Sequence, residues 1–145
     1  MKRHHALAPL SREHHTALLL AQVLKKDAPA YPGLPTEPDA KAAYALNLFH
    51  TSMEEHFIKE EAMLEKVKNC HEEIRKLSHE IILEHQQLTA SFLSLDTSGD
   101  LVRAMDILGG ELERHIRKEE RILFPLIQEH CSEELFRTIE VLLLA

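Results

Sequence analysis

Apolar residues recur along this chain at steps of three and four, the repeat of one face of an α-helix. Leu10, His14, Ala17, Leu18, Ala21 and Leu24 share the first such face, with Ser11 as candidate N-cap and an end near Asp27. The stretch "DAPAYPGLPTEPD" (27–39) then brings four prolines and a glycine, which no helix accommodates, and predicts an extended crossing segment. Asp39 is expected to cap a second helix, whose positions Leu46, Phe49, Met53, Phe57, Met63, Leu64 and Val67 run to about Lys68. After a break at Asn69 and Cys70, a third face carries Ile74, Leu77, Ile81, His85, Leu88, Phe92 and Leu95 and stops at the turn chemistry of "DTSGD" (96–100). Asp100 is the expected cap of a fourth helix with Leu101, Leu108, Leu112, His115, Ile122 and Leu123 inward. Gly109-Gly110 reads as its weak point, and Pro125 as loosening its end. Ser132 opens a last short helix, "SEELFRTIEVLLLA". The pattern predicts an all-α fold, an antiparallel up-down four-helix bundle with a short extra C-terminal helix, as one domain over residues 1–145.

Composition supports this and narrows the partners. Aromatic residues make up only 5% of the chain and Trp is absent, which disfavours sheet. A formal charge of −7 argues against the phosphate backbone of nucleic acid as a partner. The apolar runs "ALLLAQVL" and "VLLLA" fall short of the roughly 20 residues that cross a bilayer. "MKRHHALAPL" lacks the apolar core of a secretion signal, so a cytoplasmic protein with no membrane partner is expected. The two cysteines, Cys70 and Cys131, are expected to be free thiols. Each adjoins a histidine, His71 and His130, but ligands adjacent in sequence are badly placed to share a zinc ion on helices.

Eleven histidines in 145 residues is several times ordinary usage, and histidine is the commonest metal ligand. Two of them open a repeated pattern: "HFIKEEAML" at 56–64 returns in "HIRKEERILFP" at 115–125. Residues four apart on a helix share a face, so His56 with Glu60, and His115 with Glu119, each direct an imidazole and a carboxylate toward the apolar side. An ionised carboxylate there is costly unless a cation meets it. His14 and His85 supply one further core histidine from each remaining helix. The chain thus reads as two half-repeats, His14…His56-x-x-x-Glu60 and His85…His115-x-x-x-Glu119, whose histidines lie 42 and 30 residues apart, a difference close to the proline segment's length. Counting from the turns puts His56 and His85 level in the bundle, but leaves His85 and His115 mismatched by about one helical turn, ~6 Å.

These motifs, with "LSREHH" in the first helix and "EHQQL" in the third, resemble the hemerythrin-like, or HHE cation-binding, family over residues 10–127. The resemblance implies a hemerythrin-like bundle holding a non-haem di-iron site, two iron ions joined by an oxo or hydroxo bridge, with manganese or zinc as alternatives. It implies the ligands His14, His56, Glu60, His85, His115 and Glu119, and O₂ or another small diatomic or peroxide as the bound partner. The chain departs from the oxygen carriers of that family. Ile81 and Thr89 stand where a second helix-three histidine is expected, and the residue five after His115 is Glu120 rather than an aspartate. It is closer to the bacterial relatives with four histidines and two glutamates.

Alternatives stay open at several positions. His15 competes with His14 by helical phase, and Glu61 and Glu120 with Glu60 and Glu119. His79 lies off the seam of the third helix, His50, His71 and His130 read as exposed polar residues, and His4 and His5 as part of a frayed terminus. For function, the readings are a module that binds or senses O₂ or a related molecule, or handles iron; a di-iron enzyme such as a peroxidase or nitric-oxide scavenger; and a metal-free helical interaction protein with an unknown protein partner.

Overall fold

In the computed structural model, which describes residues 2–144, those residues form five helices and no strand. The first, α1, spans Ala8–Leu24, and α2 spans Pro38–Leu48, a π-helical turn Phe49–Met53 and Glu54–Val67. Then come α3 (Glu72–Leu93) and α4, which runs through Leu101–Lys118, a second π-turn Glu119–Leu123 and Phe124–His130. The last, α5, covers Glu133–Leu144. Helices α1 to α4 form the expected up-down bundle, α1 packing on α2 and α4, and α3 on the same two, while α5 lies against α2.

Prolines set two helix starts more firmly than the polar residues beside them. Proline is tolerated in a first turn, where its missing N–H has no partner to lose. Pro9 therefore starts α1 ahead of Ser11, whose hydroxyl is used elsewhere, and Pro38 starts α2 one residue before Asp39. Asp100 does cap α4, accepting from the Arg103 N–H at 3.2 Å, and Ser132 accepts from the Leu135 N–H at 3.2 Å. The crossing segment between α1 and α2 is non-helical and contains Gly33 at φ +77°, a left-handed conformation that glycine tolerates.

The two π-turns explain where the inward positions depart from a strict helical count. A π-turn inserts one residue and rotates everything beyond it. In α2 this turns Ala42 and Ala45 inward and leaves Leu46 half-buried. In α4 the inward series becomes Leu112, His115, Glu119, Leu123 and Ile127, and Ile122, expected in the core, is 48% exposed. The second π-turn also accommodates Pro125 without ending the helix. The Phe124 N–H bonds the carbonyl of Glu119 five residues back, and Pro125 has no N–H to give the next carbonyl. That carbonyl, of Glu120, accepts from the Arg3 guanidinium at 2.8 Å.

Arg3, His4 and His5 are accordingly not frayed. Arg3 pairs with Glu120, His4 with Glu133 and His5 with Glu140, and the His4 ring stacks on Phe136 of α5 at 3.9 Å. Between α3 and α4 a 3₁₀ turn, Leu95–Thr97, prolongs the path of α3. The one-turn mismatch anticipated for His85 and His115 is not found: their ring centres lie 4.9 Å apart.

Two apolar clusters result. One gathers Leu20, Leu24, Phe49, Phe92, Leu108 and Leu112; the other gathers Leu10, Met63, Ile81, Phe124, Phe136 and Ile139. Between them lies a layer of buried charged side chains.

Gly109 is no weak point. A Cβ built there would come 2.7 Å from the Ala21 backbone oxygen, so this glycine lets α1 and α4 approach closely. At Gly110 a Cβ would meet only the mobile end of Arg114, at 3.2 Å. Gly109→Ala is therefore expected to lower stability by about 1–3 kcal/mol despite its better helix propensity. Gly110→Ala is expected to be neutral or to add up to about 1 kcal/mol. Urea denaturation of the two variants checks the opposite signs.

Candidate metal centre

Six side chains meet in the polar layer: His14 from α1, His56 and Glu60 from α2, His85 from α3, and His115 and Glu119 from α4. All six are buried, and both carboxylates are 0% exposed. They form two groups, His14, His56, Glu60 and Glu119, and Glu60, His85, His115 and Glu119, in each of which the ligand-type atoms lie within 4.8 Å of one another. The two glutamates belong to both. Glu60 turns Oε2 toward His14 and His56, at 3.2 Å from each Nε2, and Oε1 toward His85 Nε2 at 2.9 Å. Glu119 Oε1 lies 2.9 Å from His115 Nε2 and 3.5 Å from His14 Nε2. The half-repeats are matched in space as in sequence: the rings of His14 and His56 are 4.9 Å apart at 63°, and those of His85 and His115 repeat both values.

A second set of carboxylates surrounds the first. His14 Nδ1–H donates to Glu120 at 2.6 Å, His56 to Glu13 at 2.8 Å, His85 to Glu61 at 2.8 Å and His115 to Glu84 at 2.7 Å. Every acceptor sits on the preceding helix of the ring, α4 for α1, α1 for α2, α2 for α3 and α3 for α4, so the four bonds close a cycle. Each bond fixes its ring so that Nε2 points inward, the usual arrangement of metal-ligating imidazoles. The outer carboxylates are held in turn: Glu120 accepts from Ser11 at 2.8 Å and from Arg3 at 3.1 Å, and Glu84 from Lys118 at 2.6 Å.

Helical phase located the inner six; it did not find Glu13 and Glu84. Both immediately precede an inward histidine and so read as solvent-facing, and the repeated Glu-His dipeptide, Glu13-His14 and Glu84-His85, was the available signal. The open alternatives are now placed. His15 and His79 are exposed, while Glu61 and Glu120 contact Nδ1 atoms on the outside. His50 is exposed and pairs with Glu54, whereas His71 accepts from the Glu73 N–H and caps α3.

The protonation behaviour of these residues without a cation reflects their crowding. Burial alone would lower each imidazole, but the facing glutamates outweigh it, pushing His14 up to about 12, His56 to about 9 and His115 to about 10. For Glu60, burial is likewise outweighed by the neighbouring histidines, which hold it well below the usual carboxylate range. The His115 hydrogen bond, with Lys118 assisting against burial, holds Glu84 at about 2.

Even so, the inner layer is not satisfied by its own members. Both Glu119 oxygens and His115 Nε2 are buried without a hydrogen-bond partner: the 2.9 Å between Glu119 Oε1 and His115 Nε2 is close, but the angles are not those of a hydrogen bond. These atoms belong to groups whose donors lie within 4.8 Å of one another, and unsatisfied buried polar atoms of this kind are rare. A cation placed there would satisfy them, and the all-nitrogen-and-oxygen donor set suits a first-row metal such as iron or manganese. The buried histidine–glutamate cluster is therefore the candidate metal-binding site.

A model of the family described as "Hemerythrin HHE cation binding domain" matches residues 5–126, and again residues 62–143, the second match taking in the half-repeat that carries His85, His115 and Glu119. No curated protein and no solved structure matches the chain.

Imidazoles raised above their ordinary value of 6.5 stabilise the metal-free fold fully below that pH, and the contribution is lost as pH rises through the folded values. Chelator-treated protein is therefore expected to lose stability progressively from pH 6.5 through about 9 and 10, read by urea denaturation at stepped pH. Metal binding should change in the opposite direction, tightening as pH rises and releasing protons, because the cation competes for the same nitrogens.

Proposed function

The chain belongs to the hemerythrin HHE cation-binding domain family, and from that premise we propose that it is a cytoplasmic, non-haem di-iron protein that binds or senses O₂ or a related small molecule. The observation that carries this reading is the division of the buried donors into two groups of four that share Glu60 and Glu119. His14 and His56 would hold one ion, His85 and His115 the other, and the two glutamates both. When bound, such an iron pair supplies the electrons for reversible interaction with O₂, a diatomic or a peroxide.

The protein's own part is positioning, neutralisation and exclusion of water. Glu13, Glu61, Glu84 and Glu120 orient the four imidazoles from outside and increase their basicity toward a cation. Phe57 stacks on His85 at 4.1 Å and Phe124 on His14 at 5.7 Å, so flat apolar faces cover two of the rings. Leu88 and Leu123 close the layer above and below, keeping bulk water from the carboxylates. A surface cleft of about 480 Å³ reaches His115 between Glu84, Leu88, Arg114 and Lys118, and offers a small ligand its approach from the α3–α4 side. Reversible binding is favoured over turnover because, among the described residues, Ser78 is the only buried polar side chain besides the six, and its hydroxyl donates to the Ile74 carbonyl at 2.7 Å.

Metal analysis of protein from iron-replete cells should give two ions per chain, and the optical spectrum of the reduced form should change when O₂ is admitted. Substoichiometric metal, or a spectrum indifferent to O₂ and to peroxide, would sink the proposal. Glu119→Ala should lose metal, whereas Glu120→Ala should keep it with affinity lowered about 10–100-fold. Chelation should also lower the melting temperature, since a ligand of the native state adds stability; an unchanged value would favour a metal-free interaction protein.

A further inference from the structure

Cys70 follows the end of α2 and Cys131 follows the end of α4, 61 residues away, and the fold brings their sulfurs to 3.0 Å as free, partly buried thiols. Their neighbours meet as well, the rings of His71 and His130 stacking at 4.1 Å and 22°. Each cysteine closes its helix through its own N–H, Cys70 to the Val67 carbonyl and Cys131 to the Ile127 carbonyl, both at 2.9 Å. The side chains therefore project from two adjoining helix ends. Two sulfurs about 1 Å beyond the bonded separation of ~2.05 Å need only a small shift to join.

A zinc ion is the other ligand two cysteines and two histidines bring to mind. Among the described residues, however, the groups whose ligand atoms converge are the two at the bundle centre, and neither includes these four. The imidazoles stack on one another, and among the described residues no third donor converges on the two sulfurs.

We propose that Cys70 and Cys131 form a peroxide-reactive dithiol that closes to an intramolecular disulfide. The Cys70 thiolate attacks one peroxide oxygen, the O–O bond breaks, and hydroxide leaves and takes up the thiol's proton as water. The Cys70 sulfenic acid then condenses with Cys131, forming the S–S bond and expelling a second water. Overall the two thiols lose two electrons and two hydrogens, and one hydroperoxide is reduced. Cys131 is the resolving thiol, since its S–H donates to the Cys70 sulfur at 3.0 Å, and burial with Cys70 beside it raises its pKa and keeps it protonated. The bond joins the α2–α3 turn to the α4–α5 turn across the apolar cluster that holds Met63, Leu64, Leu123 and Phe124, and so ties together the two helices that carry Glu60 and Glu119.

The test is a titration of the full reduced chain with hydrogen peroxide, followed by denaturation, maleimide alkylation and intact mass. Expected are loss of both alkylatable thiols together, a chain lighter by two hydrogens, a Cys70–Cys131 linked peptide on digestion, and a melting temperature higher by on the order of 10 °C that dithiothreitol reverses. Thiols that remain alkylatable in excess peroxide, a mass gain from added oxygens alone, or disulfide dimers between chains would overturn the proposal. Cys131→Ser should leave Cys70 as a sulfenic acid trapped by dimedone, and Cys70→Ser should leave Cys131 unreacted; the reverse pattern would overturn the assigned order. Glu119→Ala protein should form the same crosslink, which separates this chemistry from the metal centre.

Discussion

Glu60 and Glu119 have no exposed surface, and a carboxylate removed from water requires positive charge within reach. Much of what distinguishes this bundle follows from that requirement. Four imidazoles surround the two carboxylates, and each imidazole needs an acceptor of its own at Nδ1. The outer glutamates provide it and remain partly hydrated, where their charge costs less. Charge is thus graded outward, from fully buried carboxylates to partly exposed ones braced by Arg3 and Lys118. The interior still leaves Glu119 and His115 Nε2 without partners, so the protein alone does not complete its own electrostatics.

The same layer explains why the bundle has two apolar clusters instead of one. Phe49 and Phe92 stack at 4.9 Å on one side of it, while Phe124 and Ile81 lie on the other. Both clusters consist of buried apolar side chains packed together, so they stiffen the helices that carry the donors. The segment from Arg3 to Leu7 and α5 complete the second cluster: Ala6, Leu7 and Phe136 are buried in it, and Arg3 reaches from there to Glu120.

How much of this could be read from the sequence depends on whether the signal was local. A helix repeats every 3.6 residues wherever it occurs, so the inward phase of His14, His56, Glu60, His85, His115 and Glu119 was visible along each segment separately. Bundle topology was visible too, because short polar turns force antiparallel neighbours. Glu13 and Glu84 were not, because each serves a histidine on another helix and its own phase points outward. The π-turns carry no sequence pattern of their own; they became apparent through consequences such as exposed Ile122. Gly109 was misread for a related reason, since flexibility is a local property of glycine and close approach to Ala21 is not. The meeting of Cys70 with Cys131 depends on which helix ends adjoin, and spacing along the chain says nothing of that.

The cyclic arrangement of the Nδ1 bonds has a mechanical consequence. Each helix both donates through its histidine and accepts through its glutamate, so sliding any one of the four along its axis breaks two bonds, one to each neighbour. A slip of one residue, about 1.5 Å, exceeds what any of these contacts tolerates while remaining a hydrogen bond. The register of all four helices is therefore specified by polar contacts at a single level, and apolar packing, which tolerates exchange of similar shapes, need only fill the space on either side. This is how a chain whose core is made largely of interchangeable aliphatic residues can hold six donor side chains at one place. The close α1–α4 seam at Gly109 belongs to the same arrangement. It brings His14 within reach of Glu120, the bond that closes the cycle and that Ser11 and Arg3 reinforce from two directions.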